Sequence, residues 1–364
     1  MLETTALKHL SRGQKVTVVA SVATLAAAAL GKVAGAGAVP EFVIAGLALA
    51  ALAALVGQAI DQVGERLGPS ATALLQSTLG NLPELFVCLF ALSDGLDNVV
   101  RAAHVGSILG NAVLVLGSAF VVGGLRHGTQ RFDPEEPRLN ASLLLLAVTA
   151  LLVPTLASEL ETPAAGHAGT LSNICALVLL AVYAATVPFY LRDRSPPVRD
   201  AAPPSAHSSN QPWPLSLAIG LLAFASLGAA LAADWFVEPL QEATKTLGLS
   251  EVFTGLVIVA IASNAVEHVV GIRFALRAKP EYAISTTLNS PLQVALLLTP
   301  VLVLLSPAVG PVKLTLVFPP LMVAALAVSS LVVTVIIYDG EYTWVEGVAL
   351  IGLYVMVAAS FWWG

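Results

Sequence analysis

Two glutamates of this chain stand where a charge is costly. Glu84 lies in the apolar run 71–92 and Glu267 in a second run, 252–277. An acid such as Asp at the centre of a membrane helix costs roughly 2.5–3.5 kcal/mol on insertion scales. Each glutamate follows an asparagine by three residues, in Gly80-Asn81-Leu82-Pro83-Glu84 and in Ser263-Asn264-Ala265-Val266-Glu267. That spacing puts both side chains of a pair on one helix face. Pro83 has no N–H, so inside a helix it would leave the carbonyl of Leu79 unpaired. Gly80 weakens the same turn. One turn then offers a carboxylate, an amide oxygen and a freed carbonyl, the hard oxygen ligands that a cation such as Ca²⁺ takes. The bland alternative is a kinked helix whose glutamate meets a satisfied polar neighbour.

The two stretches are related by a constant offset. Asn264 lies 183 positions after Asn81, and Glu267 lies 183 after Glu84. Ser290 follows Ser107, and Gln293 follows Gly110, by the same 183. Coincidences with one offset, centred on an intramembrane Asn-x-x-Glu, argue for an internal duplication. Two carboxylates at one membrane site raise each other's pKa and titrate as a pair. A divalent cation neutralises both, so protons and Ca²⁺ would compete for the same oxygens, which is the requirement for exchange.

Further candidates follow from spacing. Ser107 with Asn111, and Ser290 with Gln293, are i,i+4 and i,i+3 pairs in apolar segments. The serines serve ion ligation or close helix packing equally well. For Asn111 and Gln293 ligation is the better reading, because a membrane amide needs partners. His268 follows Glu267, so it could relay protons or make a packing hydrogen bond. His104 is more simply a packing residue. Pro291 either frees a carbonyl or bends its span. Asp133, Glu135 and Glu136 read as solvated loop residues.

These residues must be held by membrane helices. Of 364 residues, 57% are hydrophobic and 11% charged, a membrane composition. The formal charge of −6 is segregated by loop. Cys88 and Cys175 both lie in apolar runs and read as buried structural thiols. Eleven spans are expected, near 16–38, 41–60, 71–93, 99–125, 139–158, 170–191, 215–233, 252–277, 282–306, 314–337 and 344–363. With the N-terminus in the cytoplasm, alternate segments hold 13 of the 17 Lys and Arg on the inner side. This bias sets the N-terminus inside and the C-terminus outside. The fold expected is an all-α polytopic membrane protein: residues 1–38 with the first span, a five-helix repeat over 39–191, a flexible cytoplasmic linker over 192–214, and a second repeat over 215–364. Five spans is an odd number, so the repeats enter from opposite sides, with the site near the midplane where they meet.

The chain resembles the calcium/proton exchanger family of the cation/Ca²⁺ antiporter superfamily. The resemblance covers nearly everything after Pro40. It rests on GNLPELFVCLFAL (80–92), GSILGNAVLVLG (106–117) and GGLRHGTQRF (123–132) in the first repeat. In the second it rests on SNAVEHVVGIRFAL (263–276), NSPLQVALLLTPVLVL (289–304) and IYDGEYTWVEGVALIGLY (337–354). The resemblance implies exchange of Ca²⁺ for protons by alternating access. Its essential acids correspond to Glu84 and Glu267, and its asparagine ligands to Asn81 and Asn264. Its second-repeat histidine matches His268, its serines Ser107 and Ser290, and its glutamine Gln293. The family usually has Gly where Ser263 stands and Gly-Ser-Ser where Asn289-Ser290-Pro291 stands. Pro83 is like the sodium-coupled relatives.

Three other readings are kept. Na⁺/Ca²⁺ exchange is the neighbour within the same class. A passive cation channel suits two acids on an inverted repeat less well than a closed alternating site. An intramembrane enzyme has no His-Glu-x-x-His and no nucleophile–base motif to support it. The expected partners are Ca²⁺, H⁺ and the lipid bilayer, with no cofactor and no nucleic acid. A prokaryotic inner membrane is expected because no targeting sequence stands out, with a vacuolar-type membrane as the alternative. Oligomeric state is left open, a homo-oligomer included.

Overall fold

A computed structural model describes residues 10–67, 79–191 and 213–363. Most of the expected linker, the opening of the third expected span and Lys8 lie outside those residues. The helices are α1 (Arg12–Ala34), α2 (Ala38–Leu67), α3 (Leu82–Ser93), α4 (Asp97–His127), α5 (Glu135–Glu159), α6 (Ala168–Leu191) and α7 (Leu215–Val237). They continue as α8 (Leu240–Leu247), α9 (Glu251–Ser263), α10 (Ala265–Leu276), α11 (Pro280–Val309), α12 (Pro320–Ile336) and α13 (Trp344–Ser360). Two short strands, β1 (Gln130–Arg131) and β2 (Glu341–Tyr342), pair antiparallel. Among the described residues seven helices are long and apolar enough to cross a membrane. A sharply bent pair, α8 with α9, would make eight. The chain is thus a polytopic helical membrane protein.

Two of the remaining apolar segments are interrupted. The expected span 252–277 is two helices, broken at Asn264, whose backbone has φ −110° and ψ 19°. The expected span 314–337 is helical only from Pro320. Pro319 and Pro320 cannot continue a helix backwards. The extended residues before them are satisfied by hydroxyls instead. The N–H of Leu314 donates to Ser306 Oγ, that of Leu316 to Ser172 Oγ and that of Phe318 to Thr155 Oγ1, at 2.9–3.1 Å.

Element boundaries repeat at the offset found in the sequence. Both α3 and α10 are twelve residues long and begin 183 positions apart. The same separation divides the starts of α4 and α11. Each of these long helices contains a π-helical segment, Gly110–Val115 and Val294–Leu298. Pro291 precedes only the second, so proline is not the common cause. π turns of this kind often mark functional sites.

The residues group into two compact units, Met1–Val87 with Ala184–Ala243, and Cys88–Tyr183 with Thr244–Gly364. In the first, α2 packs against α1 and α7. Phe42 and Phe236 stack at 4.5 Å, beside Gly46, where an added Cβ would sit 3.0 Å from the Phe236 ring. Buried Trp213 fastens the end of the linker segment. Its N–H donates to Gln62 Oε1, its indole N–H donates to Gln14 Oε1, and its carbonyl accepts from Arg66. Lys32 pairs with Glu238, and lies 3.9 Å from Asp234.

In the second unit α4 runs alongside α9 and α10. Gly255 meets Val99 and Ala102, Gly106 meets Leu256, Ser107 meets Asn264, Gly271 meets Val115, and Gly123 meets Ala275. The partner number rises with the α4 number, so the two run parallel. α10 and α11 form an antiparallel pair, with Gly271 against Thr287 and Phe274 against Tyr282. Tyr342 is buried and stacks on Phe120 at 3.9 Å, anchoring β2.

Candidate functional site

The break between α9 and α10 exposes a side chain that a continuous helix would direct elsewhere. Asn264 is 2% exposed and uses its whole amide. Its Nδ2 donates back to the Ala260 carbonyl and to Ser263 Oγ, each at 3.0 Å. Its Oδ1 accepts from Ser107 Oγ at 3.3 Å and from Asn111 Nδ2 at 3.2 Å. The Asn111 amide also faces the Ser107 carbonyl at 3.3 Å and Ser290 Oγ at 3.2 Å. Four predicted residues from three separate helices therefore meet: Ser107 and Asn111 of α4, Asn264 at the break, and Ser290 of α11.

Asn111 is the orphan of this cluster. Its nitrogen faces three acceptors, while its Oδ1 is buried with no hydrogen-bond partner among the described residues. An unpaired buried amide oxygen costs about 1–3 kcal/mol. A cation would satisfy it. The donor set here is hydroxyl and amide oxygens, and among the described residues no cluster of three or more His, Cys, Asp or Glu competes as a metal site.

Glu267 lies in the first turn of α10, where the helix macrodipole favours a negative charge. His268 is next in the chain. Its Nε2 would lie 3.8 Å from a Cβ added at Gly110, so the imidazole rests on the α4 backbone just before the π segment reaches Asn111. Gln293 is half-buried where α11 turns π-helical.

Glu84 and Asn81 belong to the first unit. Glu84 is 2% exposed and lies in the first turn of α3, as Glu267 lies in the first turn of α10. Asn81 precedes the helix and its carbonyl accepts from the Leu85 N–H at 2.9 Å. Pro83 therefore starts a helix rather than kinking one, since a first-turn proline lacks an N–H that would be unpaired anyway. The second repeat breaks at Asn264 with Val266 at the equivalent place, so the break does not need the proline.

His104 is buried with its Nε2 3.6 Å from Cys88 Sγ, one turn before Ser107. Neither cysteine is in a disulfide; Cys175 is only half-buried. Sequence reasoning missed Ser263, whose hydroxyl accepts from Asn264 and donates to the Val259 carbonyl at 3.0 Å. It also missed Asn140, paired with Asn289 at 2.7 Å. The signal was present, since Asn140 is an amide in an apolar span.

A polytopic helical membrane protein with a buried oxygen site at a helix break is one class; comparison with known proteins narrows it. The sodium/calcium exchanger protein family matches residues 38–191 and 217–363. A protein of Synechocystis sp. named Ca(2+)/H(+) antiporter is 37% identical over 88% of this chain and 90% of that protein. The Ca(2+)/H(+) antiporter ChaA of Bacillus subtilis is 32% identical, covering 88% of this chain and 91% of that one. The solved structure of native YfkE superposes with a TM-score of 0.80 at 29% identity, covering 95% of this chain and 99% of that one. The chain belongs to the sodium/calcium exchanger protein family, on the side whose members carry the name Ca²⁺/H⁺ antiporter.

Proposed function

We propose that this protein is a secondary active antiporter that moves Ca²⁺ in exchange for H⁺ by alternating access at a two-glutamate site. The observation that carries the reading is the duplicated acid. Glu84 and Glu267, 183 residues apart, each stand third in a twelve-residue helix that begins directly after an asparagine. Both helix N-termini stabilise the ionised form, and Ca²⁺ neutralises what two carboxylates cannot hold alone. Protonation of the pair releases the ion. Ser107, Asn111, Asn264, Ser290, Gln293 and Asn81 supply neutral oxygens, and His268 borders the path of the proton.

The direction of the helices supports an inverted arrangement. α4 runs parallel to α9 and α10. A hairpin joins α3 to α4, with Cys88 against His104. α3 and its counterpart α10 therefore point in opposite directions. Loop contacts agree with eleven spans and a cytoplasmic N-terminus. β1 and β2 pair two loops that the count places inside. Arg101 reaches the carbonyl of Thr315 at 3.5 Å between two segments placed outside. The protein then resides in a prokaryotic inner membrane, with its C-terminus outside.

The test is Ca²⁺ uptake into voltage-clamped proteoliposomes with an imposed pH gradient and no Na⁺. Uptake should collapse with a protonophore and be lost in Glu84→Gln and Glu267→Gln. Uptake that appears only with a Na⁺ gradient would move the protein to Na⁺/Ca²⁺ exchange at the same site. Single-channel currents would replace antiport with a pore.

A further inference from the structure

A second chain of polar side chains runs between α5 and α11, away from the ion ligands. Asn140 Nδ2 donates to Asn289 Oδ1 at 2.7 Å. Asn289 Nδ2 donates to Ser285 Oγ at 3.1 Å. Ser285 Oγ donates to Glu136 Oε1 at 2.9 Å. Every donor points the same way, and the chain ends on an exposed carboxylate at the loop end of α5. Donors aligned toward a charged acceptor reinforce one another.

The spacing makes this a clamp. Glu136 and Asn140 are one turn apart on α5, and Ser285 and Asn289 are one turn apart on α11. Two i,i+4 pairs face each other, so the helices are tied at two heights. Moving α11 by one residue, a rise of about 1.5 Å and a turn of about 100°, would part both ties. Asn140 is 1% exposed, so its amide has no water to fall back on.

What the clamp holds is the next residue. Ser290 follows Asn289 and points from the adjacent side of the same turn toward α4, where its hydroxyl meets Asn111 Nδ2 at 3.2 Å. We propose that Asn140 and Asn289, backed by Ser285 and Glu136, are positioning residues that set the rotation and height of α11. They thereby hold the Ser290 hydroxyl in the ion site without touching the ion. The inference rests on the reading that Ser290 and Asn111 face the transported ion.

The experiment compares Asn140→Leu, Asn289→Leu, their double variant and Ser290→Ala in the full-length protein in proteoliposomes. Ca²⁺ is the varied ion, and KM and maximal rate are read separately. Each single Leu variant should raise the KM for Ca²⁺ about three- to tenfold with the maximal rate within about twofold. The double variant should be no worse than either single one, because the two residues act as one tie. Asn289→Ser keeps a hydroxyl, should fall between, and serves if a Leu variant fails to fold. Additive losses, or an unchanged KM in the single variants, would overturn the clamp while leaving the ion site standing if Ser290→Ala still raises KM. An unchanged KM in Ser290→Ala would remove Ser290 from the ion site and overturn the clamp's role with it.

Discussion

Asn111 gives its amide nitrogen to Asn264 Oδ1, 3.2 Å away, and keeps its own buried Oδ1 unspent. The direction is set by the neighbours, because the Ser107 carbonyl, Asn264 Oδ1 and Ser290 Oγ are all acceptors facing that nitrogen. The oxygen is thereby left without a hydrogen-bond partner among the described residues. Asn111→Asp removes the donor and sets a carboxylate against Asn264 Oδ1. It should lower thermal stability in detergent more than Asn111→Ala, which costs about 1–3 kcal/mol through its abandoned partners. Both should weaken Ca²⁺ affinity. A variant Asn111→Ala with wild-type affinity and melting temperature would separate Asn111 from the site.

The glutamates, the asparagines beside them and the offset of 183 were legible in the sequence because charge and amide are rare in apolar runs. Ser107 and Ser290 were legible only as alternatives, since a small hydroxyl packs and ligates equally well. The structure brings both hydroxyls into one cluster, that of Ser107 donating to Asn264 Oδ1 and that of Ser290 accepting from Asn111 Nδ2. The π segments were not legible. Nothing in Gly110–Val115 or Val294–Leu298 marks a wider turn. Asn140 and Asn289 were missed because they are far apart in the chain and pair only across helices.

Small residues let α4 approach α9 backbone to backbone. A Cβ added at Gly106 would lie 1.9 Å from the Leu256 carbonyl oxygen, and one at Gly255 would lie 2.8 Å from that of Val99. These obstacles are backbone atoms, so they cannot rotate aside. Gly106→Ala should therefore destabilise the protein by about 1–3 kcal/mol, as overpacking does, and displace Ser107 one position on. Gly220→Ala, where an added Cβ meets nothing within 4 Å, is the matched control. Equal melting temperatures for the two variants would refute the close crossing.

The loop contacts predict sidedness. Gln130 pairs with Tyr342, and His127 Nε2 lies 3.1 Å from the Leu276 carbonyl. Three loops thus share one face, which on the proposed topology, with Arg126, Arg131, Arg273 and Arg277 inside, is the cytoplasmic one. In a Cys88→Ala, Cys175→Ala background, Thr129→Cys and Asp339→Cys should react with impermeant maleimide only from the cytoplasmic side. Lys313→Cys, in the segment next to Thr315 and Arg101, should react only from outside. Labelling of Thr129→Cys and Lys313→Cys from the same side would undo the eleven-span count.

Proton competition fixes the sign of the pH dependence. On the proposed mechanism Ca²⁺ binds the ionised Glu84 and Glu267 and protons bind the same oxygens, so lowering the pH should weaken Ca²⁺ binding. By linkage, each proton displaced per Ca²⁺ bound gives about a tenfold loss of affinity per pH unit in the range where the pair is protonated, and two give about a hundredfold. At high pH, with the pair ionised before Ca²⁺ arrives, affinity should level off. Equilibrium ⁴⁵Ca²⁺ binding to purified protein across pH reads this slope without requiring transport. Glu267→Gln leaves one titrating carboxylate, so it should bind more weakly at high pH and show a shallower slope. An affinity that ignores pH in the wild-type protein would break the coupling of the two ions, whatever the structure of the site.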